Sequence, residues 1–185
     1  MKKVILASQS ARRQELLKRV VPSFESIPAD IDETMNLKND LKEEVMKVSK
    51  AKAMTILSLH PDCIVIGSDT SVVLDGMPLG KPKDRNEAKR MIEALQGRSH
   101  EVYTGLSIVS SEKEYIDIEV VKVTFASMTK EEIEEYLDTK EWTDKAGAYG
   151  IQASASRYIS SIEGDYYSIV GLPVHKVYEA LKNFD

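Results

Sequence analysis

The stretch Ile64–Thr70, Ile-Val-Ile-Gly-Ser-Asp-Thr, restricts the fold more than any other part of this chain. Three β-branched apolar residues in a row are typical of a strand that is buried on both faces. Gly67 and Ser68 then predict the end of that strand, with Asp69 just beyond it. A carboxylate at the carboxyl end of a buried strand lies where open α/β sheets bind ligands, but the same residue type also caps turns.

Hydrophobic periodicity and capping residues predict alternating strands and helices along the rest of the chain. The sequence Asp75-Gly76 predicts a hairpin turn between two strands. The expected strands lie near residues 3–7, 64–66, 72–74, 101–110, 114–127, 156–163 and 166–170. The expected helices begin after Ser10, Asp40, Asp84 and Thr129, and the one after Asp40 reaches about Leu59. A last expected helix has Pro173 in its first turn.

Composition and charge exclude several classes of protein. The net charge of −5 argues against a general nucleic-acid binder, which needs a basic surface. No apolar run approaches the length that a membrane helix needs, which is roughly 18 residues. The single cysteine, Cys63, rules out a disulfide within the chain and fits a reducing cytoplasm.

Two arginines occupy the first turn of the first helix, after the hydroxyl-rich turn Ser8-Gln9-Ser10. Ser10 is the expected N-cap of that helix. Because arginine in the first turn opposes the helix dipole, Arg12 and Arg13 need another reason to be there. The pattern favours phosphate binding over a pair of solvated surface arginines.

A lysine lies on the apolar face of the predicted helix from Asp40 to about Leu59. The eight-residue step from Val48 to Ile56 places Lys52 on that face. Its ammonium either reaches solvent along the core or needs an anion as partner. The acidic run at residues 30–34 is either a solvated loop or a source of oxygen ligands for a divalent cation.

Several familiar catalytic patterns are absent from the sequence. Serines and histidines occur without a Gly-x-Ser-x-Gly elbow, so a serine hydrolase is disfavoured. Three scattered histidines and one cysteine show no zinc-ligand spacing. The segment from Gly76 to Pro82 is one residue short of a P-loop, although Lys81 could still bind a phosphate.

The remaining candidates are acids and cations of the kind that phosphoryl chemistry uses. Carboxylates hold a metal and orient water, while cations stabilise the charge on phosphate oxygens. These candidates are Glu33, Asp69, Arg12, Arg13, Lys52 and Lys81. A small-residue-rich segment, residues 144–152, also predicts a loop whose backbone can approach a ligand closely.

Seven motifs, in order along nearly the whole chain, resemble those of the Maf family. They are Leu6-Ala-Ser-Gln-Ser-Ala-Arg-Arg13, Asp32-Glu-Thr34, Lys50-Ala-Lys52-Ala53, Gly67-Ser-Asp-Thr70, Gly80-Lys-Pro82, Ala146-Gly-Ala-Tyr-Gly-Ile-Gln152 and Val170-Gly-Leu-Pro173. The resemblance implies a Maf/inosine-triphosphatase-like α/β fold. In such a fold one domain, residues 1–185, carries a long mixed sheet in two lobes with a central cleft.

The resemblance further implies a metal-dependent nucleoside triphosphate pyrophosphatase, which releases a monophosphate and pyrophosphate. Asp69 would be the proton acceptor that activates water, and Glu33 with Asp69 would hold Mg²⁺ or Mn²⁺. The residues that match phosphate-contacting positions are Ser8, Arg13, Lys52 and Lys81. A cytoplasmic homodimer is a family-level expectation, with neither a nucleic-acid polymer nor a membrane as partner.

Arg12, Thr70 and Gln152 match the positions that set base choice, and the combination resembles the branch acting on dTTP and UTP, including modified uridine triphosphates. The chain departs from the family pattern at Ala11, Ser68 and Ala153, where proline, alanine and glycine are usual. An alternative function is that of a non-catalytic nucleotide-binding regulator, since Maf proteins are named for an effect on septum formation.

Overall fold

The computed structural model describes residues 2–184 and has a mixed α/β architecture. The strands are β1 Val4–Leu6, β2 Glu25–Ser26, β3 Ile64–Leu74, β4 Met77–Leu79, β5 Ser99–Val109, β6 Glu114–Phe125 and β7 Ile159–Glu163. The α-helices are α1 Ala11–Leu17, α2 Leu41–Leu59, α3 Arg85–Leu95, α4 Lys130–Asp138, α5 Tyr166–Val170 and α6 Val174–Leu181. Two short 3₁₀ segments, Ala146–Ala148 and Ser154–Tyr158, precede β7.

The strands form one seven-stranded mixed sheet in the order β2-β1-β3-β5-β6-β7, with β4 paired to β3. Strand β1 runs parallel to both β2 and β3, and Ile5 is the register partner of Val65. Strand β4 is antiparallel to β3. The Asp75-Gly76 turn that joins them has positive φ at both residues, 51° and 76°, as the predicted hairpin requires.

The chain divides into two compact units. The first unit comprises Met1–Thr70, Tyr103–Glu119 and Tyr167–Asp185, and the second comprises Ser71–Val102 and Val120–Tyr166. The boundaries fall inside β3, β5 and β6, so each of these strands contributes residues to both units.

The prediction that Gly67 and Ser68 end the strand is wrong, because β3 continues through Asp69 to Leu74. Asp69 therefore lies within a strand and not beyond its end. The glycine serves close packing: a Cβ at Gly67 would lie 2.3 Å from the backbone oxygen of Ser49 and 3.0 Å from the Ala53 Cβ. Gly67 thus allows helix α2 to approach the strand.

The core of the first unit contains buried side chains of β1, β3 and α2, together with Cys63 and Val109. Helix α2 ends at Leu59 as predicted, and Asp40 caps its start by accepting from Lys42 N at 2.7 Å. Leu59 itself is 70% exposed, so the apolar face ends before the helix does. Cys63 is buried, as is common for a free cysteine that packs as a small apolar residue.

In the second unit, α3 contacts both α4 and the 146–148 turn. Both helices begin as the sequence predicts. Asp84 accepts a hydrogen bond from Glu87 N at 2.8 Å, and Thr129 forms a complete capping box with Glu132. No helix among residues 2–184 is both long enough and apolar enough to cross a membrane.

The strand predicted for residues 166–170 is wrong, because this segment is helix α5. Its aromatic and β-branched residues favour a strand by propensity, but backbone hydrogen bonds close the segment locally. The N–H groups of Gly171 and Leu172 both donate to Tyr167 O, at 3.0 and 3.1 Å. The strand predicted from residue 156 begins only at Ile159, after a 3₁₀ segment.

Candidate active site

Lys52 joins two of the predicted site carboxylates in the first unit. Its Nζ lies 2.9 Å from Asp69 Oδ1 and 3.0 Å from Glu33 Oε1. The side chains of Lys52 and Asp69 are each 10% exposed, whereas that of Glu33 is 55% exposed. The apolar-face position of Lys52 is thus explained by an anionic partner and not by a solvated head group.

The carboxylates of Glu33 and Asp69 are suited to supply part of the oxygen ligands of a divalent cation. One oxygen of each lies within 3.0 Å of the same nitrogen, so the two carboxylates converge on one point. Carboxylate oxygens are the ligands that Mg²⁺ and Mn²⁺ favour, with phosphate oxygens and water completing such sites. Among residues 2–184 no cluster of three or more potential metal ligands is present, so the substrate would have to supply the rest.

Arg13 is held in a fixed orientation at the start of α1. Ser10 caps the helix as predicted, accepting from Arg13 N at 3.4 Å. The Arg13 guanidinium donates through Nε to Gly171 O at 2.8 Å and through Nη2 to Thr70 Oγ1 at 3.1 Å. Burial lowers the pKa of this guanidinium, while the nearby negative charge of Asp69 acts in the opposite direction.

Thr70 belongs to a chain of hydrogen-bonded polar groups. Its Oγ1 lies 3.1 Å from Thr104 Oγ1, which donates to Ser168 O at 2.7 Å. The hydroxyl of the adjacent Ser68 lies 2.9 Å from Gly171 O and 3.0 Å from Gly105 O, and Ser68 is fully buried. Ser68 therefore supports the backbone carbonyl that also binds Arg13, and its burial argues against a role as nucleophile.

Ser8 and Arg12 lie in or next to the turn between β1 and α1. Ser8 is buried, and its Oγ accepts from Ser10 N at 3.1 Å. Ser8 Oγ donates no hydrogen bond to any of residues 2–184, so its proton is available to a ligand oxygen. Arg12 is exposed and pairs with none of the described residues, as expected for a side chain that awaits a ligand or lies in solvent.

Lys81 and Gln152 lie in the second unit. Lys81 Nζ lies 2.7 Å from Asp144 Oδ1, but both side chains are exposed and such pairs contribute little to stability. Gln152 is exposed and makes no hydrogen bond within the described part of the chain. The segment before Gln152 is anchored, since Gly147 N donates to Gly80 O at 3.1 Å.

Within the 144–152 segment the backbone packs closely against strand β3 at Gly147, whereas its approach to a ligand stays a prediction. Its φ is +67°, and a Cβ there would lie 2.8 Å from Val72 Cγ1. Two tyrosines hold the next residues: Tyr136 OH donates to Ala148 O at 2.8 Å, and Tyr149 OH lies 2.6 Å from His100 Nε2. Burial lowers the pKa of His100 to about 4, so its imidazole is neutral at pH 7.

The structure brings Glu33, Lys52 and Asp69 into direct contact and joins Arg13 to Thr70. Three participants were not found from the sequence: Thr104, Ser168 and the carbonyl of Gly171. Two of them act through backbone oxygens, whose roles carry no residue-type signal. Thr104 lies 34 positions from its hydroxyl partner, and only the sheet brings the two together.

The chain is similar to several known proteins. A protein of Bacillus cytotoxicus named dTTP/UTP pyrophosphatase is 45% identical over 185 residues, covering 100% of this chain and 97% of its own length. A Bacillus cereus protein of the same name is 44% identical with the same coverage. The solved structure of the Staphylococcus aureus Ham1 protein covers all of both chains with a TM-score of 0.55 at 16% identity, a likeness that shows the fold alone.

The family model described as Maf-like protein matches residues 3–184. This match spans nearly the whole chain, and the mixed sheet is the architecture that the sequence motifs imply. The chain therefore belongs to the family of Maf-like proteins.

Proposed function

We propose that this protein is a nucleoside triphosphate pyrophosphatase that hydrolyses dTTP and UTP to the monophosphate and pyrophosphate. The contact of Lys52 with both Asp69 and Glu33 carries this proposal, because it combines a buried base, a cation and a second carboxylate. The relatives named dTTP/UTP pyrophosphatase, at 45% and 44% identity over the full chain, support the choice of substrate.

Asp69 is the proposed proton acceptor. Its Oδ1 binds Lys52, while Oδ2 makes no hydrogen bond with any of residues 2–184 and so can accept a proton from water. The water oxygen attacks phosphorus, the phosphoanhydride bond between the α and β phosphates breaks, and the electron pair leaves with pyrophosphate. Lys52 holds the Asp69 carboxylate in a fixed orientation for this step through their 2.9 Å contact.

Positive charge in the first unit would stabilise the triphosphate. Arg13, Lys52 and the Ser8 hydroxyl are the proposed phosphate contacts in this unit, and Lys81 stays a predicted phosphate contact. Glu33 and Asp69 would hold Mg²⁺ or Mn²⁺. When bound, such a cation polarises phosphate oxygens and neutralises the developing charge.

Base choice is proposed to rest on Arg12, Thr70 and Gln152. Arg12 and Gln152 are exposed and engage no described residue, so both side chains can reorient toward a ligand. Thr70 is fixed by its hydrogen bonds. A homodimer also stays a prediction, which light scattering of the purified protein would test, and so does a cytoplasmic location.

A screen for pyrophosphate release tests the function directly. Purified protein with Mn²⁺ or Mg²⁺ is offered the canonical and modified nucleoside triphosphates, and dTTP and UTP are expected to be the best substrates. Loss of activity on adding a chelator would support metal dependence. If no triphosphate yields pyrophosphate while dTTP still binds, the non-catalytic regulator becomes the better description.

A further inference from the structure

The hydrogen-bond direction between Thr70 and Thr104 is determined by their neighbours. Thr104 Oγ1 lies 2.7 Å from Ser168 O, a carbonyl that can only accept. A threonine hydroxyl carries one proton, and that of Thr104 is therefore engaged. In the 3.1 Å contact between the two threonines, Thr70 must donate and Thr104 must accept.

Thr70 is consequently left with acceptor capacity only. Arg13 Nη2 donates to Thr70 Oγ1 at 3.1 Å, and a guanidinium has no acceptor atom. The proton and one lone pair of Thr70 are thus engaged within the protein, and one lone pair remains. Thr70 is also the single half-buried position in strand β3, so this lone pair can face a ligand.

We infer that Thr104 is a positioning residue for base choice. By accepting a hydrogen bond from the Thr70 hydroxyl, Thr104 leaves Thr70 able to act only as an acceptor toward a base, which selects bases that carry an N3–H donor. This inference rests on the proposed function, in which Thr70 contacts the base. Thymine and uracil share the N3–H group, whereas cytosine has an unprotonated N3 at that place. Two acceptors facing each other exclude a hydrogen bond, so cytosine is rejected.

The role of Thr104 is tested by comparing kcat/KM for UTP and CTP in three proteins: wild type, Thr104→Val and Thr104→Ser. Valine removes the hydroxyl with little change of shape, which frees the Thr70 proton to turn toward a base. We expect Thr104→Val to lower the ratio of UTP to CTP efficiency tenfold or more. Thr104→Ser retains the hydroxyl and should hold the ratio within twofold of wild type.

A role of Thr104 in stability alone predicts a different result. Thr104→Val would then lower the efficiency with both substrates by the same factor, and an unchanged ratio would overturn the inference. If wild type releases pyrophosphate from neither UTP nor dTTP, the proposed function fails and takes this inference with it. The two failures are therefore distinguishable in one set of assays.

A change on the ligand side tests the same contact in the wild-type protein. In 3-deazauridine triphosphate a C–H group replaces N3–H and the oxygen at C4 becomes a hydroxyl, so the N3 donor is removed without added bulk. We expect wild-type kcat/KM to fall at least tenfold relative to UTP, and Thr70→Val to abolish that difference. Equal efficiency with both nucleotides in wild type would show that Thr70 does not read N3.

Discussion

The ammonium of Lys52 and the carboxylate of Asp69 form a contact of 2.9 Å in which both side chains are only 10% exposed. A charged pair removed from water in this way costs desolvation free energy that only good mutual geometry offsets. The pair joins the middle of helix α2 to the middle of strand β3. The stability of the protein and the proposed chemistry at Asp69 therefore depend on the same contact.

Removing the cation of this pair should destabilise the protein. Lys52→Met leaves the buried Asp69 charge without its partner, and we expect the free energy of unfolding to fall by about 3 kcal/mol. Lys50→Met is the matched control, because Lys50 pairs with Glu114 at a surface where both side chains are more than 40% exposed. Urea unfolding of both variants checks this; equal losses would contradict the assigned burial.

Neutralising Asp69 should separate binding from turnover. Asp69→Asn keeps the shape and leaves Lys52 its contact with Glu33, so we expect a stability loss of only about 1 kcal/mol. Loss of the proton acceptor should lower kcat by about 10²–10⁴-fold while dTTP binding persists. Single-turnover assays with a parallel binding titration measure both quantities. Unchanged kcat would remove Asp69 from the proposed role.

Arg13→Lys keeps the positive charge but not the two separate donors. One ammonium cannot take the places of Nε at Gly171 O and Nη2 at Thr70 Oγ1. We expect KM for dTTP to rise about tenfold, the equivalent of roughly 1.4 kcal/mol of binding. Arg90→Lys, at an exposed position in α3, is the control and should behave as wild type. A KM that does not move would mean that charge alone suffices at position 13.

Gly67→Ala tests the close packing of α2 on β3. The added Cβ would meet the backbone oxygen of Ser49 at 2.3 Å. A backbone atom cannot move aside as the end of a flexible side chain can. We expect a loss of about 3 kcal/mol or more from overpacking. Gly80→Ala is the control, since no atom lies within 4 Å of its added Cβ, and it should change stability by less than about 0.5 kcal/mol. Similar unfolding midpoints for the two variants would contradict this account.

The buried His100 should make stability fall with acidification. Burial lowers its pKa to about 4 in the folded protein, against its ordinary 6.5 when unfolded. Between these values the unfolded chain binds more protons, so the free energy of unfolding decreases as pH falls through this window. We expect His100 to account for a loss of about 2 kcal/mol between pH 7 and pH 5.

The variant His100→Gln should lose that part of the pH dependence. His175→Gln, at an exposed position in α6, should retain the wild-type slope. Urea unfolding at several pH values measures the slopes. The same slope in His100→Gln and wild type would show that other groups cause the acid sensitivity.

Much of the local structure was predictable, because its causes are close together in the sequence. The caps at Ser10, Asp84 and Thr129 and the Asp75-Gly76 turn depend on residues within four positions of one another. The prediction that the strand beginning at Ile64 ends at Gly67 and Ser68 failed for a different reason. Glycine often ends a strand, but Gly67 faces a helix that the local sequence does not contain.

Individual candidates were also visible in the sequence, whereas their partners were not. The spacing of apolar residues placed Lys52 on the inner face of α2, and helix geometry is sufficient for that conclusion. Which acid meets its ammonium depends on how α2 packs on β3. Helix α5 is a different case, because residue propensity assigns it to a strand while local backbone hydrogen bonds make it helical.

The sequence by itself determined the helix starts, the hairpin, the family motifs and the set of acids and cations, since these depend on residue type and short spacing. Only the tertiary structure decided that Lys52 joins Asp69 to Glu33 and that the Thr70 hydroxyl donates a hydrogen bond to Thr104. Both arrangements join groups 17 to 34 positions apart through packing and strand pairing. The direction of a hydroxyl proton depends on every neighbour at once, and no linear pattern of residues encodes it.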